Sequence, residues 1–90
     1  IDVVDPGMAP GTGTPEPGGM TSRELLEAVG RICLELPIVG VDIVEVAPAY
    51  DTSDITAILA NRVVLEALSA IALKKSGGKY SAVRNLLDRD

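Results

Sequence analysis

The sequence has no histidine, tryptophan or phenylalanine, and its two tyrosines are its only aromatic residues. Without large rings, a core has to be built from Leu, Ile, Val and Ala, the packing usual where helices cover a parallel sheet. The single cysteine, Cys33, excludes an internal disulfide and favours a reducing, cytoplasmic setting. Basic residues are scarce: 8 Lys and Arg stand against 13 Asp and Glu, a net charge of −5, and Lys74-Lys75 is the one basic cluster. That balance argues against nucleic acid and against an anionic membrane surface as partners. An initiator Met and a signal peptide are also missing, and Ile1 already reads as part of a strand. The expectation is therefore the last third of a larger domain.

What is present is organised around the opening stretch, IDVVDPGMAPGTGTPEPGG. It starts as an apolar strand end carrying Asp2 and Asp5 and becomes a loop of Pro, Gly, Thr and Ala. Prolines at 6, 10, 15 and 17 fix its backbone and glycines at 7, 11, 13, 18 and 19 free it, so its shape is specified while little surface is buried. Costly loop geometry without a core points to a site. Asp5 is expected to fix the loop by accepting backbone hydrogen bonds, as Asp does in turns.

Regular structure follows. Thr21-Ser-Arg-Glu24 is a capping box, so a helix should span 21–36, with Leu25, Leu26, Val29, Ile32, Cys33 and Leu36 on one face and Pro37 ending it. Cys33 lies in that stripe and reads as a small buried hydrophobe. The run IVGVDIVEV over 38–46 is rich in β-branched residues and too short for most helices, and predicts a central strand buried on both faces. Asp42 interrupts it in the middle and Glu45 near its end; buried carboxylates need partners, so Asp42 is expected to make a structural hydrogen bond or lie at a sheet edge. Glu45 sits where ligands bind in open α/β sheets, outside the carboxyl end of a strand. Asp51, Thr52, Ser53 and Asp54 all offer caps for a helix over 53–75, whose apolar face would comprise Ile55, Ile58, Leu59, Val63, Leu65, Leu68, Ile71 and Ala72. Asn61, Arg62, Glu66 and Asp54 make this a poor membrane span. Residues 76–90 form a tail with no assignable chemistry. The element order indicates an α/β fold: the carboxyl-terminal part of a three-layer architecture, a mainly parallel sheet covered by helices, with residues 1–75 belonging to it.

The opening loop also carries a specific resemblance. Asp2, three residues, Pro6, three residues, Pro10-Gly11, seven residues and Gly19 is similar to the signature of the ureohydrolase family, the arginases and agmatinases, from the second Asp of its Ser-x-Asp-x-Asp segment onward. Gly-Thr-Gly-Thr-Pro-Glu-Pro-Gly-Gly, then Thr-Ser-Arg-Glu-Leu and Val-Asp-Ile-Val-Glu-Val-Ala-Pro-Ala-Tyr-Asp, resemble the agmatinase-like members. The resemblance implies a metal-dependent hydrolase that splits a guanidino compound such as agmatine into urea and an amine. It implies Asp2 as one ligand of a two-metal centre, Mn2+ first with Ni2+ as the alternative, Glu45 as the holder of the guanidinium, and Thr14 as a further substrate-positioning residue. A homo-oligomer, trimer or hexamer, is implied as well. The chemistry is coherent: a guanidinium matches a carboxylate in bidentate fashion, and paired cations generate hydroxide near neutral pH.

The family pattern uses imidazole ligands and further Asp ligands, and this chain has no histidine. The ninety residues by themselves are therefore expected to be inactive. A non-catalytic homologous subunit, or another substrate such as guanidinobutyrate or guanidine, are the competing readings. Gly11-Thr12-Gly13 also raises a phosphate-binding loop, weakened by the missing third glycine and by Pro15 and Pro17, which remove amides.

Overall fold

The computed structural model describes residues 1–77, so the tail assigned to 76–90 lies outside the described residues from position 78 onward. Two helices, α1 (Ser22–Glu35) and α2 (Ile55–Lys75), pack against each other, and a single 3-10 turn at Pro48–Tyr50 lies between them. The start of α1 is set by its own letters. The Thr21 hydroxyl accepts from the Glu24 N–H at 3.0 Å, and the Glu24 carboxylate accepts from the Thr21 N–H at 2.9 Å. Those bonds, the backbone one first, hold the Glu24 carboxyl below its usual range. At the other end the Leu36 N–H returns to Ile32 and Pro37 prevents another turn.

Two apolar clusters hold these parts together. Val4 and Ala9 of the opening loop pack with Leu59 and Val63 of α2, flanked by Leu25, Leu26 and Val29 of α1. Further along, Cys33 and Leu34 of α1 meet Ala67 and Ala70 of α2. Fully burying a side chain such as Leu59 or Val63 is worth about 1.5–3 kcal/mol, so the first cluster is what seats the loop on the helices. Cys33 is buried as a hydrophobe.

Four expectations need correction. The described residues contain no strand: the opening stretch makes one isolated parallel bridge, Val4 to Met20, and 38–46 is extended backbone outside any ladder. The three-layer sheet is thus not observed among the described residues. A strand exists only through ladder hydrogen bonds, and 38–46 makes a single bond to the opening stretch, Ile1 amino group to Val44 carbonyl, rather than a ladder. Val39, Val41 and Val44 are exposed where a doubly buried strand would cover them. Asp42 is likewise exposed, so the buried carboxylate that would demand a partner does not arise here. Finally, α2 is apolar almost all round and burial selects one strip, Leu59, Ala60, Val63, Ala67 and Ala70, leaving Ile58, Leu65 and Leu68 exposed. By length and composition α2 could cross a membrane. That strip, packed into the chain's own core, and the Arg62–Glu66 pair at 3.5 Å are features of a core helix with one free side.

Candidate functional site

The opening loop is closed on itself before it is attached to anything else. The Asp5 N–H donates to the Met20 carbonyl and the Met20 N–H to the Val3 carbonyl, both at 2.8 Å. This pairing brings Gly19 against backbone: a Cβ there would lie 2.6 Å from the Val3 carbonyl oxygen, which requires glycine at the end of the motif. Across the loop, the Asp5 carboxylate accepts from the Gly7 and Gly18 N–H groups, each at 2.9 Å. The Gly7 bond, then the Gly18 bond, draw the Asp5 carboxyl below its ordinary value. Asp5 is a loop brace, as its position in a turn suggested.

Asp2 and Thr14 face each other over this frame: the Thr14 hydroxyl donates to Asp2 Oδ2 at 3.2 Å. Asp2 is half-buried and Thr14 exposed. The tie between them was not foreseen from the sequence, since twelve positions separate them and neither spacing nor residue type encodes the contact.

Glu45 arrives from the other side. It is exposed, and its backbone is left-handed with φ 72°, a conformation uncommon for a residue that is neither Gly nor Asn. Bonds to the opening loop bracket it: the Ile1 amino group donates to the Val44 carbonyl at 3.1 Å and the Ala47 N–H to the Gly11 carbonyl at 2.7 Å. The structure therefore brings the turn bearing Glu45 to the loop bearing Asp2 and Thr14. No hydrogen bond joins the Glu45 carboxylate itself to either side chain among the described residues.

Behind Gly11 lies a residue that sequence reasoning left as one capping candidate of four. Asp51 caps α2 from outside it, accepting from the Thr52 N–H at 2.9 Å, the Thr56 N–H at 3.0 and 3.1 Å and the Ala57 N–H at 3.0 Å. Partial desolvation opposes its charge, but the donors from Ala57, Thr56 and Thr52 together outweigh it and the Asp51 carboxyl lies below its ordinary range. Ser53 and Asp54 do not cap, because both adopt positive φ, 51° and 60°, to bring Asp51 over the helix end. Gly11 packs on Asp51 so closely that a Cβ would come within 2.7 Å of its carboxyl carbon.

Two amides of the glycine-rich segment are spoken for. Gly11 N–H goes to the Thr56 hydroxyl and Thr12 N–H to the Pro10 carbonyl, so neither is free to cradle a phosphate. Nor do these residues alone fit a two-metal centre: no group of three or more His, Cys, Asp or Glu side chains comes together among the described residues, and Asp5 is already committed to amides. An apolar groove between the loop, α1 and 38–44, lined by Val3, Leu25, Val29, Ile32 and Val41, contains none of Asp2, Thr14 or Glu45 and is a packing surface.

Known proteins resemble this chain in sequence and in fold. The agmatinase of Cronobacter sakazakii is 57% identical over 75 residues, which cover 83% of this chain and 24% of that protein. A hypothetical agmatinase from Burkholderia thailandensis superposes with a TM-score of 0.79 at 45% identity, covering 86% of this chain and 24% of the other. Proclavaminate amidino hydrolase from Streptomyces clavuligerus gives 0.76 at 51% identity, over 81% of this chain and 24% of its own. The chain thus spans about a quarter of the length of the relatives it matches. These neighbours are α/β proteins of the arginase fold. The pattern of the Arginase family matches residues 1–70, and with the agmatinase relatives at this identity it shows that the chain belongs to the arginase family, on its agmatinase-like side.

Proposed function

We propose that this chain supplies one wall of the active site of an amidinohydrolase that splits a guanidino compound, agmatine first, into urea and an amine. The observation that carries this reading is the bracketed Glu45 turn. A strained residue with an exposed carboxylate is tied by two backbone bonds to the loop that presents Asp2 and Thr14. Strain of about 1–3 kcal/mol persists only where surrounding structure enforces it, and it concentrates at functional sites.

In this reading Glu45 holds the planar guanidinium by paired charge-assisted hydrogen bonds, which fixes the plane of the carbon to be attacked. Thr14 keeps the Asp2 carboxylate in one orientation through its hydroxyl. Asp2 is one carboxylate donor to a divalent pair, Mn2+ before Ni2+, since hard oxygen donors suit such ions. No group of three or more metal-ligating side chains comes together with it among the described residues. A cytoplasmic homo-oligomer, trimer or hexamer, completes the proposal. The likeness to proclavaminate amidino hydrolase, at 51% identity, supports a guanidino acid as the alternative substrate.

Urea release by the complete, metal-loaded protein, measured against agmatine, guanidinobutyrate, other guanidino acids and guanidine, tests the reading. Agmatine is expected to give the highest kcat/KM, and Glu45→Gln to depress it. No urea from any of them would leave the non-catalytic homologue as the conclusion.

A further inference from the structure

The conformation of Glu45 depends on bonds that begin elsewhere. Its carboxyl-side bracket is the Ala47 N–H on the Gly11 carbonyl, and that bracket is only as fixed as the Gly11 peptide. The peptide is fixed in turn by its own N–H, which donates to the Thr56 hydroxyl at 2.8 Å across a buried contact spanning 45 positions of sequence. Thr56 is fully buried, and the Asp51 carboxylate accepts from its N–H and from the Ala57 N–H. Its hydroxyl is the acceptor for Gly11, a role that an apolar isostere cannot fill. Asp51, Thr56, Gly11 and Ala47 therefore form one relay from the start of α2 to the turn at Glu45.

We propose that Thr56 is a positioning residue for the guanidinium-binding carboxylate: its hydroxyl locks the Gly11 peptide, and through Ala47 that peptide sets the left-handed turn at Glu45. Nothing in this role requires Thr56 to touch substrate. It rests on the assignment of Glu45 to the guanidinium. Valine at 56 keeps the shape but leaves the buried Gly11 N–H without an acceptor; serine keeps the hydroxyl.

The test uses the complete protein with Thr56→Val, Thr56→Ser and Thr56→Ala, the last leaving room for water at the Gly11 amide should valine prevent folding. Kinetics on the best guanidino substrate are expected to show KM raised about tenfold or more in Thr56→Val or Thr56→Ala, with a much smaller change in kcat, because lost uniform binding appears in KM. Thr56→Ser is expected to restore the parent KM. Amide exchange gives a reading independent of catalysis: Ala47 should exchange faster in Thr56→Val and Thr56→Ala while the amides of α1 keep their protection. Unchanged KM in the folded variants, serine no better than valine, or an Ala47 amide as protected as in the parent would each overturn the proposal. If the parent hydrolyses no guanidino compound, the assignment of Glu45 fails, and the exchange arm alone decides whether Thr56 sets the turn.

Discussion

Asp5 and Asp51 do the same work in two places: each uses one carboxylate to gather backbone amides that the local geometry leaves without partners. Asp5 takes Gly7 and Gly18; Asp51 takes Thr52, Thr56 and Ala57. Both carboxyls lie below their ordinary value of 3.8 in the folded chain, so the folded state binds protons less readily than the unfolded one. Their contribution is complete above that value and is lost as pH falls through it toward the lower folded values. Denaturant midpoints of the complete protein should therefore drop on acidification from about pH 5 downward, and Asp5→Asn and Asp51→Asn should each flatten that acid limb. An acid limb unchanged in both variants would show that neither carboxylate is held as its contacts indicate. Asp5 was legible from its place in a Pro and Gly turn. The dominance of Asp51 was not, because choosing it over Ser53 and Asp54 depends on two positive φ angles that those letters do not encode.

The helix ends and the run at 38–46 mark how far local sequence reaches. Thr21 and Glu24 stand at the offset at which each side chain meets the other's amide, so the start of α1 is contained in four letters. Replacing Thr21 by Ala removes the acceptor for the Glu24 N–H and is expected to cost about 1 kcal/mol, read as a lower denaturation midpoint together with faster exchange at Glu24; no change in either would mean that packing alone sets this end. The run at 38–46 is the opposite case. Its β-branched residues describe a chain suited to a sheet, but a strand is a relation between segments, and among the described residues the run forms no ladder with any other. Glu45 shows the same limit at finer grain: its place at the end of the run was visible, whereas the bonds on either side of its left-handed turn reach Ile1 and Gly11, far away in sequence.

For the molecule as a whole, the loop and helices are internally consistent while two faces are left without cover. Val39, Val41 and Val44 on one segment and Ile58, Leu65 and Leu68 on α2 are all exposed, and apolar patches that are contiguous and large mark association surfaces. The chain spans about a quarter of its relatives' length, and among the described residues no metal-ligating cluster forms. Expressed by itself, the ninety-residue chain is therefore expected to keep helical content, to associate as its concentration rises and to bind a hydrophobic dye. Titrated with Mn2+, it should give no saturable heat at concentrations that saturate the complete protein, and it should release no urea from agmatine, because in the proposed reading Glu45 and Asp2 supply only the orientation of the guanidinium and one ligand. Urea release by the isolated chain would show that these two carboxylates and their loop are sufficient, and the division of the site into two walls would have to be abandoned.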